Sequence, residues 1–292
     1  MKVAVYGHST SANTSEHIQL LFNKLQECKA ELLVYEPFYN FIKKQLTLPC
    51  SLNTFKSHTD LNGKVDYMLS LGGDGTFLET LTFVRGSYIP ILGINTGRLG
   101  FLANVAKTEI AAAIEALAEK KYSIEKRSLL SVIGPNKLFG NVNYGLNELT
   151  ILKKDTSSMI TIHAYINGDY LNSYFADGLI IATPTGSTAY SLSCGGPLVM
   201  PGSENFVITP IAPHNLNVRP LVISDNNVIT LKVEGRINQY LASLDSRIEV
   251  IDSSIELTVK KADFSLHLIK LENQNFFNTI RNKLLWGLDK RN

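Results

Sequence analysis

Leu69-Ser-Leu-Gly-Gly-Asp-Gly-Thr-Phe-Leu78 is the stretch on which the predicted fold depends. Before its glycines, residues 65–71 (VDYMLSL) form a short apolar run, which is typical of a buried strand. After them, Phe77, Leu81 and Val84 recur at helical spacing. The stretch therefore predicts a buried strand, a glycine turn and a helix.

The turn itself, residues 72–76, surrounds one carboxylate with three glycines. Glycines allow close backbone approach, and a helix N-terminus offers unpaired N–H groups, so such a turn suits a polyphosphate. Asp74 would repel phosphate unless it bound a metal ion or accepted a proton from an attacking hydroxyl. The alternative is that Asp74 only caps the helix. The pattern is neither GxxxxGK[ST] nor GxGxxG, which argues against a P-loop NTPase and an ordinary dinucleotide oxidoreductase.

The first part of the chain alternates between strand-like and helix-like segments. Strands are expected at 2–6, 31–35 and 89–95, helices at 37–46 and 108–121, and a loop at 48–62. Such alternation favours a parallel sheet covered on both faces. We therefore expect a Rossmann-like α/β domain at residues 1–121.

From Tyr122 onward the pattern changes to short β-rich segments separated by turn residues. These segments are 128–133, 149–153, 159–166, 179–182, 206–211, 228–233, 240–244 and 254–260. Regularly spaced strands without helices predict an all-β sandwich domain, residues 122–271. Helical spacing returns at 273–288, and we expect a C-terminal helix, within 272–292, to pack back on the first domain.

Two further segments carry polar groups that could bind a ligand. Residues 176–197 contain a short apolar strand, a run of hydroxyl side chains and a Gly-Gly-Pro turn, which would suit a ligand rich in phosphate and sugar oxygens. A solvated Ser/Thr loop is the alternative. The pair Asn147-Glu148 could bind the diol of a ribose or form only a turn. Phe101, in the glycine-punctuated segment 95–102, could stack on a flat heterocycle or pack inward.

Composition excludes several classes of protein. The 292 residues are 45% hydrophobic and 18% charged with a net charge of +2, so we expect a globular protein that binds neither nucleic acid nor a membrane. The three cysteines are widely spaced and form neither a disulfide framework nor a CxxC metal motif. No apolar run approaches the roughly 18 residues of a membrane span, and we expect a cytoplasmic protein.

Five motifs, in this order and spacing, resemble the NAD kinase family: GGDGT at 72–76, NxGxLGFL at 95–102, NE at 147–148, DGxxxATPTGSTAYxLSxGGP at 177–197 and PIxPHxLxxRPLV at 210–222. GGDGT alone is shared with diacylglycerol and sphingosine kinases, whereas TPTGSTAY with GGP is more specific. The resemblance spans nearly the whole chain. It implies the NAD kinase/diacylglycerol kinase-like fold, an α/β domain followed by a β-sandwich domain. It also implies transfer of the ATP γ-phosphoryl group to the adenosine ribose 2′-hydroxyl of NAD.

The resemblance also assigns site residues. Asp74 would be the catalytic aspartate, acting as general base or metal partner, with Gly75 beside it. The residues expected to bind the dinucleotide are Asp74, Gly75, Phe101, Asn147, Glu148, Asp177, Thr185, Thr188, Ala189, Tyr190, Ser191, Leu192, Ser193, Ala212, Asp245 and Arg247. Family members often have Asp-Gly-Gln where this chain has Asp245-Ser-Arg247, which puts the contact at Arg247 in doubt.

The substrates implied are ATP and NAD, with Mg²⁺ or Mn²⁺ bridging the ATP phosphates and no metal ligand set supplied by the protein. A homodimer or homotetramer is expected, because family members place nicotinamide contacts at a subunit interface. Two alternatives stay open: a GGDGT-type lipid kinase acting on diacylglycerol or a sphingoid base, and a non-catalytic dinucleotide sensor.

Overall fold

The computed structural model describes residues 1–8, 15–49, 52–97, 99–155, 158–236, 238–272 and 274–286, apart from the side chain at 136. The helices are α1 (Ser15–Glu27), α2 (Glu36–Ile42), α3 (Asp74–Val84), α4 (Ile110–Ala118), α5 (Tyr190–Ser193) and α6 (Phe276–Leu284). The strands are β1 (Lys2–Gly7), β2 (Glu31–Tyr35), β3 (Leu52–Phe55), β4 (Tyr67–Leu71), β5 (Ile91–Ile94), β6 (Tyr122–Ile133), β7 (Tyr144–Gly145), β8 (Glu148–Lys153), β9 (Ile160–Ile166), β10 (Asp169–Ala176), β11 (Gly178–Ala182), β12 (Asn205–Ile211), β13 (Leu221–Ser224), β14 (Ile229–Glu234), β15 (Tyr240–Leu244), β16 (Arg247–Ile251) and β17 (Glu256–Leu271).

Two compact units divide the chain: residues 1–126 with 266–292, and residues 127–265. The chain passes from one unit to the other within β6 and returns within β17. Among the described residues, no helix is long and apolar enough to cross a membrane.

A parallel sheet forms the centre of the first unit, in the order β5–β4–β1–β2–β3. Its buried side chains, such as Val5 and Leu69, join those of α1, α2 and α4 in one apolar core. Alternate residues of a strand point to the opposite face, where Phe77 of α3 lies against Gly93 of β5. The α/β prediction for this part of the chain is confirmed.

The register of this sheet fixes where the glycine turn lies. Gly7, the last residue of β1, pairs with Leu71, the last residue of β4, and Leu71 pairs with Ile94 at the end of β5. All three strands therefore end at the same edge. The turn after Leu71 lies at this edge, between the ends of β1 and β5, where open α/β sheets bind ligands.

The second unit consists of two antiparallel sheets. One has the order β13–β12–β11–β8–β15–β16, and the other contains β10, β9, β14 and the first residues of β17. Inward-facing residues of both sheets, among them Ile151, Ile181, Ile162 and Leu231, form one apolar core. The predicted β-rich second domain with packed antiparallel sheets is confirmed.

Five strands were not predicted, and each lies at the edge of a sheet: β3, β7, β10, β13 and β16. The prediction of a loop over residues 48–62 is wrong, because β3 lies within it. An edge strand buries fewer side chains than a central one, so its apolar alternation is weak. Leu221, Val222, Ile248 and Val250, on β13 and β16, are exposed.

Three helices also differ from the sequence prediction. The second helix, predicted over 37–46, ends at Ile42, and the helix-free second domain contains the short α5. The C-terminal helix covers Phe276–Leu284, while residue 273 and residues 287–292 of the predicted span lie outside the described residues.

Candidate functional site

The turn between β4 and α3 has a conformation that requires glycine at its first position. The Gly72 N–H donates to the Ile94 carbonyl at 3.0 Å, which ties the turn to β5. A side chain at Gly72 would place its Cβ 2.7 Å from the Thr76 Cβ, well inside contact distance. Gly73 is extended, and α3 then begins at Asp74 with no side-chain cap on its first N–H groups. These groups remain available to an anion.

The Asp74 carboxylate is held by three backbone donors. The Phe101 N–H donates to Oδ2 at 2.9 Å, and the Leu102 and Ala103 N–H groups donate to Oδ1 at 3.0 Å each. An ionised carboxylate has about four acceptor positions, two on each oxygen. Two donors occupy Oδ1 and one occupies Oδ2, so the position that these donors leave is on Oδ2. The carboxylate is thus fixed in place and can still accept one hydrogen bond or one proton. Asp74 does not cap α3 with this side chain.

The segment that supplies these donors is itself closed by hydrogen bonds. The Asn95 N–H donates to the Val105 carbonyl at 2.8 Å, and the Gly100 N–H donates to the Ala103 carbonyl at 3.0 Å. Gly100 also lies against the Asp74 carboxyl group so closely that a Cβ there would be 2.6 Å from its carbon. The second glycine motif of the sequence therefore holds the aspartate of the first.

Two other predicted residues lie close to Asp74. A Cβ built on Gly75 would contact nothing within 4 Å, so the backbone is open to a ligand at this point. The Phe101 ring is half-buried, with the Lys283 Nζ 6.0 Å from its centroid. Among the described residues, Phe101 is not one of the side chains that form the apolar core of this unit.

In the second unit, Glu148 and Asp245 form a buried pair of carboxyl groups. Asp245 accepts hydrogen bonds from the Leu146, Asn147 and Glu148 N–H groups at 2.8, 2.8 and 3.2 Å. Glu148 Oε2 accepts none from the described residues. Burial, followed by the charge of Asp245, raises the pKa of Glu148 to about 8. At neutral pH this side chain carries its proton, so it can donate as well as accept a hydrogen bond to a sugar hydroxyl.

Arg247 contacts the backbone just before the residues that Asp245 holds, at 142–144. Its guanidinium donates to the Val142 and Tyr144 carbonyls, the latter at 2.6 Å, and lies 3.9 Å from the Asp245 carboxylate. The two side chains of this turn therefore fix the backbone from 142 to 148. In this structure Arg247 is a support for Asn147-Glu148.

The hydroxyl-rich segment packs directly on Asn147. The Thr183 N–H donates to the Asn147 carbonyl at 2.8 Å, and Gly186 contacts the same carbonyl so closely that no side chain fits there. Thr183 Oγ1 also donates to the Leu146 carbonyl. The structure thus brings residues 147–148, 183–193 and 245–247 together in one region of the second unit.

Within this segment the hydroxyl groups have different surroundings. Ser191 is fully buried and shares a 2.8 Å hydrogen bond with Thr209, and Thr185 accepts one from Arg127 at 3.3 Å. Thr188 donates to the backbone of its own turn. The predicted residues that reach solvent are Thr188, Ala189, Tyr190, Leu192 and Ser193. These are the side chains that a ligand could contact directly.

Asp177 and Ala212 lie next to each other at the far end of β11 and β12. The Asp177 N–H donates to the Ile211 carbonyl at 3.0 Å, and Ala212 follows with a φ of 43°. The Asp177 carboxylate pairs with Lys153 at 2.6 Å. Asp74, Gly75 and Phe101 belong to the other unit.

Sequence reasoning missed the groups that position the site. These are the backbone N–H groups of 101–103, the contacts of Gly100 and Gly186, and the side chains of Arg127 and Lys153. Gly100 and Gly186 could have been predicted from the sequence, because each is a glycine among residues with side chains in its motif. The backbone N–H donors of 101–103 could not have been predicted, because nearly every residue type has such a group.

The fold and these two groups of residues define a class of two-domain proteins, in which an α/β domain with a GGDGT turn is joined to a β-sandwich domain. Two family models match the chain. The ATP-NAD kinase N-terminal domain matches residues 5–122, and the ATP-NAD kinase C-terminal domain matches residues 146–271.

Similar proteins agree with these matches over the full length. The chain is 49% identical to an NAD kinase of Cytophaga hutchinsonii and 50% identical to one of Flavobacterium psychrophilum, covering 100% of both chains in each comparison. The chain belongs to the NAD kinase family.

Solved structures share the fold. A yeast NADH kinase complexed with NADH superposes with a TM-score of 0.86 at 22% identity, covering 99% of this chain and 88% of that one. An NAD kinase from Archaeoglobus fulgidus in complex with ATP gives 0.76 at 25% identity, covering 98% and 99%.

Proposed function

We propose that this protein is an NAD kinase, which transfers the ATP γ-phosphoryl group to the adenosine ribose 2′-hydroxyl of NAD. The observation that carries the proposal is the Asp74 carboxylate, held by three backbone donors at the start of α3 with one acceptor position that no described residue occupies. Family membership and full-length similarity to NAD kinases support the same function.

In this mechanism Asp74 accepts the proton of the 2′-hydroxyl as the bond from the 2′-oxygen to the γ-phosphorus forms, while the bond from the γ-phosphorus to the β,γ-bridging oxygen breaks and ADP leaves. A ribose hydroxyl is a weak nucleophile, and general-base help is typically worth about 10²–10⁴-fold in rate. Because the three donors fix the carboxylate, no reorganisation is needed when the hydroxyl arrives. Phosphoryl transfer depends mainly on such positioning and on charge stabilisation.

The open glycine turn would bind the donor phosphates. A divalent cation, Mg²⁺ or Mn²⁺, would neutralise charge on those phosphates. Mg²⁺ carried by a nucleotide keeps several waters and is bound largely through the substrate phosphates, so these would hold it while the free position of Asp74 Oδ2 serves the 2′-hydroxyl. In the described parts of the chain, no cluster of three His, Cys, Asp or Glu side chains could hold a metal by itself.

The second unit would bind the dinucleotide. Protonated Glu148 and the Asn147 amide can donate to and accept from the ribose hydroxyls, and the exposed groups of 188–193 can contact the rest of NAD. Tyr190, whose side chain is 40% exposed, offers both a ring face and a hydroxyl.

We further propose a homodimer or homotetramer in the cytoplasm. The edge strand β13 exposes Leu221 and Val222, and Leu216 nearby in the chain is 82% exposed, which suits contact with a second copy. Sedimentation of a fully active monomer would contradict the oligomer.

The function is tested by incubating the protein with ATP, Mg²⁺ and NAD and measuring NADP with an NADP-specific dehydrogenase. We expect NADP from the wild type and a loss of about 10²–10⁴-fold in kcat for Asp74→Ala. Asp60→Ala is the matched control, since Asp60 also accepts two backbone N–H groups, from Lys56 and Ser57, but caps a surface turn. Phosphorylation of diacylglycerol without NADP would favour a lipid kinase, and NAD binding without turnover would favour a sensor.

A further inference from the structure

Tyr6, His8 and Glu79 form a hydrogen-bonded cluster to which the proposed mechanism gives no role. The Tyr6 hydroxyl donates to Glu79 Oε2 at 2.7 Å, and His8 Nε2 contacts the same oxygen in an ion pair. The Tyr6 hydroxyl and His8 Nε2 are 3.4 Å apart. One carboxylate oxygen therefore holds both side chains.

The cluster lies beside the glycine turn. Gly7 pairs with Leu71 in the parallel sheet, so His8 follows β1 at the level where Gly72 follows β4. Neighbouring strands are about 4.8 Å apart. Glu79 is on α3, the helix that begins at Asp74. Its carboxylate thus links the helix that starts at the turn to the residue next to the turn.

The glycine turn contributes no positively charged side chain of its own. Residues 72–76 include no lysine or arginine, and Asp74 adds a negative charge. Within residues 72–76, backbone N–H groups would attract the donor phosphates and the Asp74 carboxylate would repel them, in addition to whatever a bound cation contributes. A cation next to the turn would offset this repulsion.

His8 has the chemistry to be that cation. Because its Nε2 faces a carboxylate oxygen, the hydrogen on that nitrogen is committed to Glu79, and Nδ1, which has no hydrogen bond to a described residue, is the nitrogen that can face a ligand. In the doubly protonated form of the ring, Nδ1 also carries a hydrogen and can donate it to a phosphate oxygen. The His8 side chain is 52% exposed, so a ligand can reach it.

Tyr6 keeps Glu79 in place. Its ring is buried against Tyr35 and Phe83 of the same unit, at centroid distances of 4.8 and 5.0 Å. Burial, together with the hydrogen bond to Glu79, raises the pKa of Tyr6 well above its ordinary value, so its hydroxyl stays a donor.

We propose that His8 binds the terminal phosphates of the phosphoryl donor on the glycine turn, with Glu79 and Tyr6 as positioning residues. The inference deepens the proposed function and rests on it for the identity of the donor. A purely structural role, linking β1 to α3, is the competing explanation.

The two explanations differ in which substrate is affected. For His8→Gln we expect the KM for ATP to rise about 10- to 100-fold, the effect of one hydrogen bond to a charged group, while the KM for NAD stays within about twofold. His163→Gln is the matched control, because His163 also pairs with a glutamate, Glu234 at 3.4 Å, on β9. Glu79→Gln and Tyr6→Phe should also raise the KM for ATP. Their thermal midpoints should equal that of the wild type.

An unchanged KM for ATP in His8→Gln would overturn the inference, as would an equal rise of both KM values together with a lower thermal midpoint. If the wild type forms no NADP, calorimetric titration with β,γ-imido-ATP and Mg²⁺ separates the two proposals. Binding that weakens at least tenfold in His8→Gln would then support the phosphate site while the kinase proposal fails. Binding that is absent, or equal in both proteins, would overturn the phosphate site.

Discussion

Gly100→Ala is the substitution that tests the placement of Asp74 without removing its carboxylate. In the wild type, Gly100 lies directly beneath this group, and the next three residues donate their N–H groups to it. An alanine Cβ would overlap Asp74 Oδ1, its nearest neighbour, and would be 2.6 Å from Cγ and 2.9 Å from Oδ2. Ordinary carbon–carbon contact is about 3.5–4.0 Å, so the carboxyl group must move by about 1 Å.

A movement of this size has two expected effects. A misplacement of about 1 Å can cost about 10²-fold in rate, so kcat for NADP formation should fall by about that factor. Overpacking in a closed segment costs about 1–3 kcal/mol in the free energy of unfolding. Steady-state kinetics and denaturant unfolding would measure both quantities on the same preparation.

Gly97→Ala is the control in the same segment. A Cβ at Gly97 would have Asn95 Oδ1, 3.9 Å away, as its nearest neighbour, so it fits without displacement. We expect kcat within about twofold of the wild type. A folded Gly100→Ala protein with wild-type kcat would refute the reasoning, because the carboxylate could then move without affecting turnover.

Two further predictions concern the second unit. The pKa of Glu148 is about 8 in the folded protein against an ordinary 4.5, so wild-type stability should fall as the pH rises through this interval. Between pH 5 and 9 the wild type should lose about 4 kcal/mol relative to Glu148→Gln in denaturant unfolding, and parallel pH profiles would contradict the buried acid. Arg247→Ala removes the donors to the Val142 and Tyr144 carbonyls, so it should raise the KM for NAD and destabilise the protein by about 1–3 kcal/mol. Exposed Glu249→Ala on the same strand should do neither, and an unchanged KM for NAD in Arg247→Ala would show that this support is dispensable.

The sequence was sufficient to predict the elements that are both apolar and central. β4, α3 and β5 were placed because their side chains are buried in a regular pattern around the glycines. β3, β7, β10, β13 and β16 were not, because a strand at the edge of a sheet has one neighbouring strand and can expose apolar residues. The location of the glycine turn followed from the strand before it, at the carboxyl end of a parallel sheet.

The sequence was sufficient to predict the motifs of the site, but not the hydrogen bonds and contacts that join them. The sequence indicates a functional role for Asp74, because a carboxylate in a phosphate-binding turn would repel the phosphate unless it bound a metal ion or accepted a proton. That its oxygens accept N–H groups of 101–103 depends on backbone geometry, which side-chain patterns do not record. The departure at Arg247 was visible in the sequence, but its role in supporting the backbone from 142 to 144 required the fold.

The central claim is that Asp74 accepts the proton of the hydroxyl that becomes phosphorylated. The most direct test is a crystal structure of the protein with NAD bound, in which the distance from the Asp74 carboxylate to the adenosine ribose 2′-oxygen is measured. We predict a hydrogen-bonding distance of about 2.6–3.2 Å, made by Oδ2, the oxygen with the free acceptor position. A well-ordered dinucleotide whose 2′-oxygen lies more than about 6 Å from this carboxylate, beyond direct or single-water proton transfer, would contradict the mechanism.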